Sequence, residues 1–381
     1  MASGRQAIVV SFAGESGLLP RGERTKTLAR ALEEAGYTVE RVPGVAARPV
    51  ERLSLAGRAL RKALSTFVTD YMEPHGAWVL SRWRPRGVGA LLIGWPFGPL
   101  PHAAKRLHRA RIPYVVDLGD PWLLTSRQEP KPWPVRQRTL AAESFLWGYA
   151  AGGIVTTATQ ADRLRELFPD LPLLARPNGY RDFAAGAARP RAGEGGRDDE
   201  IRLVHFGSMY AARLPVAEWF SRLRREGGLR RVQVTNYGFD DAASLQIEDP
   251  NVSVEVRPPV SWDEACRVAA EFDGAIVVGN RDPALLPSKA VQYLTLPIPR
   301  IALTQSRDGD ELTRFAAARP GFMAVDVNSG ADLARAVAHL RRPWPAAELE
   351  PPASDSWREV SREIVGFVTA CWNRGSDTRD A

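Results

Sequence analysis

The stretch GAIVVGNRDPALLPSKAVQYLTLPIPRIALT, residues 274–304, decides how this chain folds. It opens on an apolar run, 274–279, and closes on another, 300–304, each of the length and composition of a strand buried on both faces. Between them Pro287 and Ser288 open a short helix, Lys289 sits in its first turn, and a proline-interrupted turn leads into the second strand. Strand, helix and strand in one short passage is the repeating element of a parallel α/β sheet.

The same passage suits an anion. A helix N-terminus presents unpaired backbone N–H groups and the positive end of the helix dipole, Lys289 adds a full charge there, and Gln292, one turn on, can bond a neighbouring hydroxyl. An ordinary capped helix with a solvated lysine would read the same way. A second anion-ready loop in the same half of the chain, HFGSMYAAR at 205–213, tilts the balance. There Gly207 permits a tight turn, Ser208 offers a hydroxyl, and Arg213 can fork onto a phosphate.

Outward from this point the alternation continues in both directions. Runs at 7–12, 37–42, 89–95, 113–118 and 152–157 read as strands of the first half, with helices at 23–35, 99–109 and 135–149. The segment 184–200, rich in Ala, Gly, Pro and charge, reads as a linker or mobile loop. Strands then resume at 201–206, 231–236, 252–256, 274–279, 300–304 and 322–327. A Pro-rich passage at 343–352 precedes a last amphipathic helix near 355–372 with no strand after it. The expectation is α/β throughout, as two Rossmann-like doubly wound domains, 1–183 and 201–345. Two such domains in tandem face each other across a cleft where ligands collect at the carboxyl ends of the strands. In the first domain, AGESGLLPRGER (13–24) links the first strand to the first helix, and Gly14 and Gly17 would let a bound group approach the main chain. A plain β–α turn would use the same glycines.

At 381 residues the length suits two domains, and 44% hydrophobic with 25% charged residues is the balance of a globular protein. Cys266 and Cys371 stand far apart without CxxC spacing, which argues against a disulfide framework or zinc site. The histidines at 75, 102, 108, 205 and 339 show no metal spacing, and no convincing Asp-x-Asp site is found. The Asp pairs at 198–199 and 240–241 sit in polar stretches that read as solvated loop. No signal-peptide order of segments and no 18-residue apolar run is present, so a cytoplasmic location is expected. A net charge of +7 favours anionic partners, although much of the Arg excess travels with Ala, Gly and Pro, as GC-rich coding would give.

Several passages in order resemble a known family. They are the glycine loop 13–17 with Arg24, WPFGPLPH (95–102), PYVVDLGDPW (113–122), the segment 153–183 ending in Asn178-Gly179, then HFGSMYAAR and PSKAVQYL. Together they are similar to GT-B-fold glycosyltransferases, most of all the family 4 retaining enzymes of bacterial polysaccharide and secondary-metabolite pathways. The resemblance covers nearly the whole length and implies that the terminal helix, 355–381, crosses back onto the first domain. It further implies a nucleoside-diphosphate sugar donor held by the C-terminal domain and an acceptor held by the N-terminal one. That acceptor would be a glycan, a lipid-linked sugar or a small natural product.

Sugar transfer from such a donor builds negative charge on the departing diphosphate, and positioned cations speed that step. Arg213 and Lys289 are the candidates, with Ser288, Gly207 and Ser208 beside them and Gln292 on the ribose or base. Cations on the protein would remove the need for a metal, and no cofactor is expected. The chain departs from the family pattern in places. Where relatives carry a glutamate pair eight positions apart, Ala284 and Gln292 stand here, and Glu218 replaces a common lysine. Gly94-Trp95 occupies the place of a histidine common after the fourth strand, leaving His102 as the nearest substitute. His102 also reads as a helix-capping or surface residue.

Asp117 and Asp120 flank the end of the strand at 113–118; either can contact the acceptor or act as base, or simply form a turn. Asp120 is the stronger catalytic candidate, beside His102. Trp78, Arg82, Trp83, Arg84 and Arg86, with the run 50–71, resemble the surface by which some such enzymes touch membranes, although arginine stems lying over a helix seam explain them as well. Two other readings compete with sugar transfer: a GT-B-fold sugar-nucleotide epimerase or pseudo-glycosyltransferase, and a non-catalytic basic binding protein. Nucleic acid is not an expected partner, because no recognition helix, aromatic RNA-binding signature or zinc finger is present.

Overall fold

The computed structural model describes residues 5–11, 20–43, 73–94, 98–121, 123–124, 132–181, 199–207, 209, 215–238, 245, 247–305 and 309–377. Gly14, Gly17, Ser208, Arg213, the run 50–71 and residues 184–198 lie outside them. The chain divides into two compact units, Met1–Asn178 together with Arg358–Ala381, and Gly179–Trp357.

The first unit carries β1 (Gln6–Ser11), α1 (Pro20–Glu34), β2 (Thr38–Pro43), α2 (Glu73–Arg82), β3 (Gly89–Ile93) and α3 (Leu100–Arg109). β4 (Tyr114–Asp117), α4 (Trp133–Gly148), β5 (Gly152–Val155), α5 (Ala158–Leu167) and β6 (Leu173–Ala175) follow. Its sheet runs β2-β1-β3-β4-β5-β6 with every neighbouring pair parallel. β6 has no counterpart in the sequence reading: three half-buried residues at a sheet edge leave no periodicity to detect.

In the second unit come β7 (Glu200–Phe206), α6 (Val216–Glu226), β8 (Arg231–Tyr237), β9 (Val252–Arg257), α7 (Trp262–Ala269) and β10 (Gly274–Val278). α8 (Ser288–Gln292), β11 (Arg300–Thr304), α9 (Glu311–Ala317), β12 (Phe322–Asp326), α10 (Gly330–Arg341) and α11 (Ala346–Leu349) complete it. The sheet order is β12-β11-β10-β7-β8-β9, again all parallel. β10 and β11 are buried along their whole length, as a parallel sheet covered on both faces requires. Ile201, Leu203, Val232, Val234 and Ile276 pack with Trp219 and Phe220 of α6 and Leu333 of α10. Val204, Phe206, Ala275 and Val277 take the other face, with Cys266 of α7 and Val291 of α8. Each large side chain buried in this way contributes roughly 1.5–3 kcal/mol.

Arg300, the first residue of β11, is an exception to the apolar core. Its guanidinium is buried and donates to the carbonyl oxygens of Pro320 (3.1 Å), Leu294 (3.0 Å), Leu296 (2.8 Å) and Leu349 (2.8 Å). Burial pulls its pKa down to about 9. The residue fastens the turn that follows α8.

The last helix, α12 (Trp357–Asp377), belongs from Arg358 onward to the first unit, as the resemblance implies. The Trp372 indole donates to the Ala90 carbonyl (3.1 Å) and meets Tyr37 edge-on at 5.7 Å. Gly89 makes room for it: a Cβ there would lie 2.3 Å from the indole ring.

Candidate functional site

In the second unit the chain runs outward from β7 through β8 to β9, then returns to β10 on the other side of β7. The reversal between β7 and β10 is the topological switch point, and ligands of doubly wound sheets bind outside the carboxyl ends of the strands there. The ladder between these two strands stops early, at Val204↔Ala275. Beyond it the Phe206 N–H donates to the Tyr293 hydroxyl oxygen (2.7 Å) and His205 Nδ1 donates to Ile276 O (2.7 Å). Burial raises the pKa of Tyr293, so its hydroxyl stays protonated between the strands.

Immediately after β7 lies Gly207, with φ of +112°, its N–H on Tyr237 O at 2.7 Å. The Lys289 ammonium occupies the place where a side chain on Gly207 would begin: a Cβ there would sit 1.5 Å from Nζ. Gly238 repeats the arrangement after β8, since a Cβ on it would lie 2.1 Å from the Gly207 carbonyl oxygen. Gly238 is thus buried against Gly207, and a half-buried lysine from α8 is laid over Gly207. The two sequence-predicted loops therefore meet at this edge, 82 residues apart by number, as Gly207 and Lys289.

α8 is the short helix that the sequence suggests. It holds five residues and gives way to a 3-10 turn, Tyr293–Thr295. One turn sums few peptide dipoles, so the attraction for an anion rests on the Lys289 charge more than on the helix. Ser288 lies inside the helix while Pro287 holds the N-cap position without a side-chain cap. Gln292 is half-buried, and its carbonyl accepts from the Thr295 hydroxyl at 2.9 Å. The loop before α8 is ordered by Asp282, which accepts from the Ala284 N–H at 3.0 Å. Ser208 and Arg213 lie outside the described residues.

At the carboxyl end of the first sheet, Arg24 and Asp117 form an ion pair of 2.6 Å with both side chains buried. Arg24 also donates to Arg176 O (3.3 Å), Pro177 O (3.3 Å) and Asn178 Oδ1 (3.2 Å). Asp117 is thus neither a surface base nor a turn former. The sequence holds no signal for this pair, whose members stand 93 positions apart. Asp120, three residues later, is exposed on a firmly held loop. Gln160 donates to Gly119 O at 2.8 Å, and the Leu123 N–H donates to the buried Glu143 at 2.8 Å. His102, half-buried in the first turn of α3, lines a groove of about 250 Å³ with Leu80 and Ser81 of α2 and Arg106 and Arg109 of its own helix. No group of side chains that could hold a metal ion occurs among the described residues, and no described helix is long and apolar enough to cross a membrane.

No family profile matches the sequence, and no curated protein matches it either. Solved structures do match along its full length. The glycosyltransferase of kitacinnamycin superposes with a TM-score of 0.52 at 16% identity, over 97% of this chain and 98% of that one. A Listeria monocytogenes protein described as a UDP-N-acetylglucosamine 2-epimerase gives 0.57 at 10% identity over 98% of both chains. The S. aureus MnaA–UDP co-structure gives 0.53 at 11% identity over 97% of both. The fold is GT-B. At such identities the likeness is one of architecture, and within the GT-B frame the chemistry has to be argued from this chain's own residues.

Proposed function

We propose that this chain transfers a sugar from a nucleoside-diphosphate sugar to an acceptor. The reading rests on one observation above the rest, the Lys289 ammonium poised over the Gly207 backbone at the switch point of the second sheet. A diphosphate laid there meets a positive charge beside the backbone of Gly207. As the bond to the sugar breaks, the leaving oxygens gain charge, and a cation already in place stabilises them without reorganisation. Each charge-assisted hydrogen bond of this kind contributes about 1.5–3 kcal/mol. Arg213 is the second cation in this reading, and Gln292 bonds the donor ribose.

In the same proposal the unit that starts at Gly179 holds the donor and the first unit holds the acceptor, with Asp120 on its pinned loop as the acceptor's base or hydrogen-bond partner. Transfer proceeds with retention, by front-face attack and without a metal. The acceptor is a glycan, a lipid-linked sugar or a natural product, and Trp78 with Arg82 would touch a membrane in the lipid-linked case. A thermal-shift panel of UDP, GDP, dTDP and ADP, each with and without Mg²⁺, tests the reading. One diphosphate should stabilise strongly without metal, and Lys289→Ala and Arg213→Ala should each remove most of the shift. Equal shifts in variant and parent would take both residues out of the site.

A second reading is favoured by the likeness in fold to a protein described as a sugar-nucleotide epimerase. The two part on incubation with the donor alone: an epimerase converts it, whereas a transferase needs an acceptor and shows at most slow hydrolysis.

A further inference from the structure

Three residues in one row close the carboxyl edge of β7, β8 and β9. Phe206 is the register partner of Tyr237, and Tyr237 of Arg257. The Phe206 and Tyr237 rings stack at 5.5 Å and 23°, and the Arg257 guanidinium lies 5.6 Å from the Tyr237 ring centroid. Arg257 is exposed yet fixed in place. Nε and Nη2 donate to the two Glu255 oxygens (2.8 and 2.9 Å), and Nη1 donates to the Tyr237 hydroxyl (2.9 Å). Glu255 and the tyrosine hydroxyl hold its pKa above the usual arginine value, so it remains a cation. A guanidinium carries five N–H groups, and three are committed here, leaving two for a ligand.

This row begins at the residue before Gly207, on which Lys289 rests, and extends two strands outward, about 10 Å. On the opposite side of Gly207 in the sheet, β10 is followed by a loop that carries the buried Ala284 and Leu285. A nucleotide whose diphosphate sits on Lys289 is therefore directed along β8 and β9, with its base arriving at Arg257. We propose that Arg257 is a specificity residue for the base and selects bases with a ring carbonyl oxygen (uracil, thymine or guanine) over adenine. Its spare N–H groups match a carbonyl acceptor, whereas adenine offers no carbonyl and turns an amino group, itself a donor, toward the arginine. The inference rests on the donor-site reading above.

Calorimetry on the full chain tests it, with UDP, dTDP, GDP, ADP and inorganic diphosphate as probes. The parent should bind at least one of the first three about tenfold more tightly than ADP. Arg257→Ala should bring that ratio close to one while binding of inorganic diphosphate stays unchanged. Arg257→Lys, which keeps the charge but loses the fork onto Glu255, should recover only part of the ratio. A ratio that survives in Arg257→Ala, or ADP bound as tightly as the others, overturns the base assignment. In that event the donor-site reading still stands if Lys289→Ala abolishes diphosphate binding. A parent that binds no diphosphate ends both.

Discussion

The two sheets share a winding rule and differ at the edge where ligands gather. In the first unit a cation at that edge is neutralised: Arg24 reaches Asp117 and the carbonyls of Arg176 and Pro177, and both side chains of the pair are shut away from water. In the second unit the corresponding edge carries Gly207 and the Lys289 ammonium. A cation locked onto a carboxylate serves architecture. The lysine laid over Gly207 is the cation that the proposal above assigns to a diphosphate. The contrast shows why charge count alone says little about a site and why the partner of each charge decides its use.

Breaking this buried ion pair should have the largest effect. Arg24→Ala leaves Asp117 buried without its cation and should destabilise the first unit by about 3–5 kcal/mol, read from the urea midpoint of its unfolding transition. The paired replacement Arg24→Met with Asp117→Leu should recover most of that loss. A single variant within about 1 kcal/mol of the parent would mean that the pair is not what holds this edge.

Acid should next separate the two units. Burial lowers the pKa of His339 from 6.5 to about 4, so the folded second unit holds the ring neutral where an unfolded chain would protonate it. The stabilisation is therefore complete above pH 6.5 and disappears as pH falls toward 4, a loss of about 2–3 kcal/mol for the second unit. His339→Phe should flatten that slope in denaturant titrations between these pH values.

In the second unit, Gly207→Ala asks a residue with a Cβ to hold a φ of +112° and collides with the Lys289 ammonium. It should cost about 1–3 kcal/mol in stability and should also displace the lysine, weakening diphosphate binding. Unchanged binding would show that Lys289 acts from another position. The smallest effects should come from matched helix caps. The Thr157 side chain accepts from Gln160 N at the start of α5, and that of Ser261 from Glu264 N at the start of α7. Either residue changed to Ala should cost about 1 kcal/mol in its own unit, and an unequal pair would reveal which unit rests more heavily on local structure.

The sequence made most of the architecture legible because parallel strands must be apolar on both faces. GALLI, GAIVV and RIALT can be little else than buried strands. At the site, Gly207 and Lys289 were readable as a glycine after a strand and a lysine in a helix's first turn. The same logic, applied to Tyr237-Gly238 after β8, would have found the glycine buried against Gly207. Tertiary charge pairing was not readable. Nothing local to Arg24 or Asp117 distinguishes a sealed ion pair from a solvated one, and Asp117, open to three readings in the sequence, lies inside. The 3-10 turn at Tyr293 that ends α8 was not readable either, because a helix-compatible sequence stays helical only as far as its packing allows.

The seat of Trp372 beside Gly89 has a consequence for the order of assembly on the ribosome. The first sheet is synthesised early, but the indole that fills its groove and satisfies Ala90 is delivered only after the whole second unit has been made. The portion made first should therefore be the last to become protease-resistant, maturing after its neighbour. Limited proteolysis of stalled nascent chains should show fragments from residues before 178 cleaved until residue 372 has emerged. Early protection of those fragments would count against this order.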